Sequence, residues 1–174
     1  MRTQMRLSGS GGQGVITAAI ILAEAAVSEG KQAVQSQSYG PEARGGASKS
    51  EVIIDDGKIF HPHVKHPNCV LAMTQKAADK YFEDMDPDGV LVVDSDLVPN
   101  VPKVKKAIPV PITKLAVEKV GKALFANIVA LGALVKLTKI VELDTIKRSV
   151  ANRVPPSTVE KNMYALQLGY DAVA

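Results

Sequence analysis

A single cysteine, Cys69, stands in the 174 residues. One thiol excludes an intrachain disulfide. It also excludes an iron–sulfur cluster held by this chain alone, since such clusters take several thiolates. Cys69 opens the apolar run Val70-Leu71-Ala72-Met73, so a buried, inert thiol is expected. Excess charge of one sign is also scarce. A net charge of +3 argues against a nucleic-acid partner, which selects for Lys and Arg gathered on one face. The densest basic run, Lys103-Val104-Lys105-Lys106, sits beside prolines and reads as a solvated loop. The amino terminus lacks the apolar stretch of a signal peptide. The longest uncharged apolar run, residues 123–135, is too short to span a bilayer. A cytoplasmic location without membrane association is the expectation. Internal repeats and low-complexity tracts are absent.

What is present is the composition of a soluble globular protein, 46% hydrophobic and 22% charged. The length predicts one domain, residues 1–174, with a substantial core. The first two-thirds alternates strand and helix. Strands are predicted over 3–8, 32–37, 69–73, 89–94 and 107–110, and helices over 12–28 and 75–85. The first helix is read as burying Ile16, Ala19, Ile20, Ala23 and Val27, and Gly30 ends it. Residues 47–54 and 58–60 read as a hairpin closed by Asp56-Gly57. The last third is helical: an amphipathic segment over 112–120, an apolar one over 123–137, then 143–150 and 157–173. The 123–137 helix is apolar almost all round, so it is either buried on both sides or covered by a partner. This order predicts an α/β fold, a Rossmann-like three-layer sandwich with a mostly parallel sheet, one β-hairpin and a helical C-terminal third.

The segment Gly9-Ser10-Gly11-Gly12-Gln13-Gly14 lies between the first strand and the first helix. Gly9, Gly11 and Gly14 fit G-x-G-x-x-G. Such a turn exposes the first N–H groups of a helix, at the positive end of its dipole, and suits a phosphate. A tight packing turn is the other reading. A dinucleotide also needs an acid near the end of the second strand to hold the ribose. Here that region is Gln35-Ser36-Gln37-Ser38, so a nicotinamide cofactor is disfavoured.

The loop Ser38-Tyr39-Gly40-Pro41-Glu42-Ala43-Arg44-Gly45-Gly46 leaves the carboxyl end of the second strand, where open α/β sheets place ligands. Arg44 suits a phosphate or carboxylate. Partner docking, with an Arg44–Glu42 surface pair, is the alternative. His61-Pro62-His63-Val64-Lys65-His66 has the spacing of a metal site but lacks the cysteine or carboxylate to complete one, so no metal site is assigned. Asp94-Ser95-Asp96 reads as a turn cap. Asn127, inside the apolar helix, is satisfied locally or contacts a partner chain. No nucleophile–base–acid set stands out, and no catalytic residue is assigned.

Three segments together resemble a known family: Gly9-Ser-Gly-Gly-Gln-Gly14, Gln37-Ser-Tyr-Gly-Pro-Glu-Ala-Arg-Gly-Gly46 and Ser50-Glu-Val-Ile-Ile-Asp55. With Leu71-Ala-Met-Thr-Gln75 and the helix around Asn127 and Leu131-Gly132, they are similar to the gamma subunit of 2-oxoacid:ferredoxin (acceptor) oxidoreductases. The likeness covers essentially the whole chain and is greatest to the 2-oxoglutarate type, with pyruvate and branched-chain homologues close by. It implies an enzyme that decarboxylates a 2-oxoacid on thiamine diphosphate, reduces ferredoxin through iron–sulfur clusters and transfers the acyl group to coenzyme A. It implies that thiamine diphosphate, magnesium and the clusters sit in alpha, beta and delta partner subunits. The isolated chain is then inactive and binds none of these alone. The glycine turn (Gly9, Gly11, Gly12, Gly14) with Tyr39 and Arg44 becomes a candidate surface for coenzyme A or a subunit interface. A standalone nucleotide-binding protein and a purely structural interaction module are the alternatives. An uncovered apolar face on the 123–137 helix also predicts a homodimer when the chain is isolated.

Overall fold

The computed structural model describes residues 1–37 and 47–174. Its elements, in chain order, begin with β1 (Arg2–Ser10), α1 (Val15–Ser28), β2 (Gln32–Gln37) and β3 (Ala47–Asp55). Next come β4 (Cys69–Ala72), α2 (Gln75–Tyr81), β5 (Val90–Asp94) and β6 (Ala107–Val110). The helical third holds α3 (Ile112–Leu115), α4 (Ala126–Thr138), α5 (Leu143–Arg153) and α6 (Val159–Asp171). The six strands form one sheet in the order β2-β3-β1-β4-β5-β6. β1, β4, β5 and β6 run parallel, and β3 pairs antiparallel with both β1 and β2. The sheet is therefore mixed, with β3 the one reversed strand among the described residues.

This topology corrects the expected hairpin. Asp56 and Gly57 do form a bend, but residues 58–60 are not a strand. Both edges of β3 are already taken, by β1 and by β2, so a second arm has nowhere to pair. The hairpin is β2–β3 instead, and the chain between them falls in residues 38–46, outside the described residues.

Side-chain alternation sorts the core onto two faces. Met5, Leu7, Val52, Ile54, Leu71 and Val92 face a thick layer built from α1, α4, α5 and α6. Val70, Ala72, Leu91 and Val93 face a thin one, centred on Ala77, Ala78 and Tyr81 of α2. Cys69 is buried, and burial pushes its thiol up to about 12.

The buried face of α1 is rotated by about one position from the expected one. Val15, Ala18, Ala19, Leu22, Ala25 and Ala26 are buried, whereas Val27 is 56% exposed. The segment is apolar on nearly every side, so periodicity cannot select its inner face. Its end is as expected: Gly30 N–H donates to the Val27 carbonyl and Lys31 N–H to that of Ala26, a Schellman closure. α2 stops at Tyr81 rather than at 85. The amphipathic segment over 112–120 is one α turn continued by a π turn, Ala116–Val120.

α4 is buried along most of its length by α6, α3 and α1. The apolar surface of α4 is covered within the chain, but Leu124, at the start of the 123–137 segment, is exposed. No described helix is long and apolar enough to cross a membrane.

Candidate functional site

The glycine turn sits at the carboxyl end of β1, but its glycines do different things. Gly9 is buried inside the strand, opposite Ser48. A Cβ there would collide with Oε1 of Gln13. That oxygen accepts the Ser10 N–H at 2.7 Å, while Gln13 Nε2 donates to the Met73 carbonyl at 3.4 Å, across the carboxyl ends of β1 and β4. One backbone donor that a phosphate cradle would offer is thus already used by the turn's own glutamine. Gly11 and Gly12 are exposed, and the space beside Gly12 is open.

Gly14 caps α1 with φ of 73°, in the left-handed region. No side chain caps the helix, and its first turn carries no acid, so the leading N–H groups of α1 remain available to an anion. Asn127 Nδ2 donates to the Gly14 carbonyl at 3.2 Å. Asn127 thus has a partner within the chain, though one far from it in sequence. It ties the start of α4 to the turn, 113 residues away in sequence.

These contacts frame a cavity of about 340 Å³. Its floor is Gly12, Gln13, Gly14 and Thr17. One wall is Leu124, Phe125, Asn127 and Ile128, and the other is Val154, Pro155, Thr158 and Asn162. Among the described residues that line it, the polar groups are amides and hydroxyls, and none is charged. Asn162 is itself held by the Thr158 carbonyl and hydroxyl at 3.0 and 3.1 Å. Sequence reasoning missed Thr158 and Asn162, because nothing in the linear pattern shows that the α5–α6 turn returns to the head of α1, and it passed over Thr17 as part of an apolar helix. Asn127 was visible as a polar residue in an apolar helix.

Tyr39 and Arg44 lie outside the described residues. The described ends of their loop are informative: the chain leaves at Gln37 and re-enters at Ala47, paired with Ser10. Both ends are at the carboxyl edge that bears the glycine turn. Elsewhere, the described residues contain no group of three His, Cys, Asp or Glu side chains placed to hold a metal. Asp94 is the expected cap and more. Its Oδ1 accepts the Asp96 and Leu97 N–H groups, and its Oδ2 accepts the N–H and hydroxyl of Thr113.

Topology sharpens the case against a nicotinamide cofactor. The ribose-holding acid ends a strand lying parallel beside β1. Here that place belongs to β3, which runs the other way, and β2 is displaced to the edge.

The turn itself yields a test. Gly14→Ala should cost about 2 kcal/mol, roughly half from the left-handed backbone and half from a methyl 2.7 Å from Asn127 Nδ2. In Gly14→Ala/Asn127→Ala the steric half should return. Denaturant unfolding of the single and double variants measures this, and strictly additive losses would contradict the contact.

Comparison with known proteins bears on the whole chain. A family model described as pyruvate ferredoxin/flavodoxin oxidoreductase matches residues 4–172. The 2-oxoglutarate synthase subunit KorC of Methanocaldococcus jannaschii is 47% identical, over 98% of this chain and 94% of that protein. KorC of Methanothermobacter marburgensis is 42% identical, over 99% of this chain and 97% of its own. The crystal structure of a keto/oxoacid ferredoxin oxidoreductase gamma subunit from Geobacter sulfurreducens superimposes with a TM-score of 0.89 at 50% identity. It covers 98% of this chain and 97% of that one.

Proposed function

Because the chain belongs to the pyruvate ferredoxin/flavodoxin oxidoreductase family, as a gamma-type subunit, we propose that it serves a complex whose 2-oxoacid is 2-oxoglutarate. The reaction is 2-oxoglutarate, coenzyme A and oxidised ferredoxin to succinyl-coenzyme A, carbon dioxide and reduced ferredoxin. The observation that carries the substrate is the end-to-end similarity to 2-oxoglutarate synthase subunits. A standalone nucleotide-binding enzyme would not require such a match.

The redox cofactors belong to partner subunits of alpha, beta and delta type. This chain's donor set does not fit them. Its one thiol is buried and held protonated, so it cannot ligate a cluster. The described residues offer no cluster of three His, Cys, Asp or Glu side chains for the magnesium of thiamine diphosphate. The chain's own contribution is the groove. The uncapped head of α1 suits the phosphates of coenzyme A, and the amide and apolar walls suit its uncharged parts. Arg44, on the loop that returns to Ser10, would supply the cation that the described wall lacks. A second use, subunit contact at the rim, is favoured by Leu124, which is 73% exposed there.

One substitution separates these uses. Thr17 lies in the first turn of α1 and lines the groove. An acid at that position favours the helix dipole, so Thr17→Glu should leave the fold as stable or slightly more so. It should nevertheless raise the KM for coenzyme A about tenfold by repelling phosphate. Arg44→Ala should raise that KM as well, or weaken assembly if the loop docks a partner. The co-expressed complex, assayed with 2-oxoglutarate, pyruvate and branched-chain 2-oxoacids, tests the substrate. A higher kcat/KM for pyruvate would overturn the 2-oxoglutarate reading, and an unchanged coenzyme A KM in both variants would overturn the groove.

A further inference from the structure

The chain has three phenylalanines. Phe125 is buried and Phe82 packs on the α2 core, but Phe60 is 77% exposed. It stands on the extended segment between β3 and β4, the stretch that does not become a hairpin arm. The cost of presenting a phenyl ring to water is not offset by mobility of its support. Val64 is buried, Lys65 N–H donates to Gln4 Oε1 at 3.2 Å, and Asn68 exchanges hydrogen bonds with the Gln4 backbone at 2.7 and 2.8 Å. The Lys58 carbonyl accepts from Arg2, and Pro62 and Pro67 fix their own backbone angles.

The ring's surroundings are basic. Lys58, His61, His63, Lys65 and His66 are all exposed. Among the described residues neither Lys58 nor Lys65 takes part in an ion pair. Three nearby acids are already matched, Asp55 by Arg2, Asp56 by the Met1 ammonium and Asp84 by Arg6, while Asp86, whose N–H donates to the Pro67 carbonyl, takes part in no ion pair among the described residues. The surface therefore offers an aromatic knob flanked by two lysines, Lys58 and Lys65, that take part in no ion pair among the described residues. Aromatic residues are enriched in the cores of protein interfaces, with charged groups kept to the rim.

We propose that residues 58–66 form a docking strap that seats this chain on another subunit of its complex, with Phe60 entering an apolar pocket rimmed by carboxylates. This rests on the reading of the chain as a subunit of such a complex. The strap lies at the amino end of β1 and the glycine turn at its carboxyl end, nine residues along and roughly 30 Å away. Both surfaces can be occupied at once.

The test uses the full chain and its co-expressed partner subunits, with affinity followed by mass measurement of the complex across dilution. Phe60→Glu should weaken assembly about tenfold or more, whereas Phe60→Leu should stay near the parent. Lys58→Glu/Lys65→Glu should weaken it at low salt, by a margin that shrinks as salt rises. Unchanged melting temperatures confirm that these exposed positions do not disturb the fold. A Phe60→Glu chain that assembles like the parent overturns the strap alone. A parent chain that assembles with no such partner overturns the subunit reading as well.

Discussion

Gly169→Ala should destabilise the protein by about 3 kcal/mol, and Gly169→Leu should leave no cooperative unfolding transition. α4 and α6 cross with backbone against backbone. A Cβ on Gly169 would fall on the Val129 carbonyl oxygen and 2.7 Å from its carbon. Across the same crossing, a Cβ on Gly132 would fall on the Leu166 carbonyl oxygen and 2.8 Å from Tyr170 N. Main-chain atoms cannot rotate aside as a side chain can, so the helices must move apart. Separation costs more than the methyl itself, because α4 is wedged between α6 on one side and α3 and α1 on the other and carries the fully buried Ile128 and Leu131. For a chain of this size, about 3 kcal/mol corresponds to a fall in Tm of roughly 6–12 °C. The same movement opens the groove, since α4 carries Asn127 and α6 carries Asn162. Thermal melts and coenzyme A titration of the assembled complex should therefore fail together. A Gly169→Ala protein melting within 2 °C of the parent, roughly the shift of 1 kcal/mol or less, would show that the crossing is looser than described.

This crossing also shows what the sequence disclosed and what it withheld. The strands were legible because buried parallel strands are short apolar runs, and the α1 terminus because Gly30 can close a Schellman turn. The hairpin misreading came from local turn chemistry. Asp56-Gly57 does bend the chain, but whether residues 58–60 pair depends on which strands already flank β3, and that is set by β1 and β2 from elsewhere in the chain. The inner face of α1 was hidden for another reason: a helix apolar all round carries no amphipathic signal. For the site, the glycine turn was visible and its occupant by Gln13 was not. That contact is three residues away in sequence but depends on a buried Gly9. Asn127 signalled itself as a polar residue where none was needed. Its partner, a carbonyl 113 positions earlier, has no local trace.

Arg6→Ala should cost about 3 kcal/mol at neutral pH, and the cost should shrink in acid. Arg6 is 4% exposed on β1. Its Nε donates to Glu51 on β3 at 2.7 Å, and its two terminal nitrogens grip Asp84 at 2.5 and 3.1 Å. It also donates to the Tyr81 carbonyl at 3.2 Å, at the end of α2. Removing one member of a buried ion cluster leaves the others unmatched, typically at 3–5 kcal/mol. The lower end applies because the Asp84 side chain is 49% exposed and Glu51 keeps Lys49 at 3.6 Å. The hydrogen bond from Arg6 holds the Asp84 carboxyl below its ordinary value. A carboxyl lowered by folding adds stability above its unfolded pKa, about 3.9, and that contribution disappears as pH falls through the folded value. The gap between parent and Arg6→Ala should thus be full near pH 7 and narrow below about pH 4. Urea unfolding at the two pH values measures it, and a gap independent of pH would remove Asp84 from the account. Arg6→Lys should recover only part of the loss, since an ammonium lacks the planar fork that meets Glu51 and Asp84 together. The position matters for function because of what the cluster fixes. Tyr81, at the end of α2, donates its hydroxyl to the Ala47 carbonyl at 3.4 Å. Ala47 is where the chain re-enters the sheet beside Ser10. Loosening Arg6 should therefore disturb the carboxyl edge of the sheet at the glycine turn, and the KM for coenzyme A should rise in Arg6→Ala even where the protein remains folded.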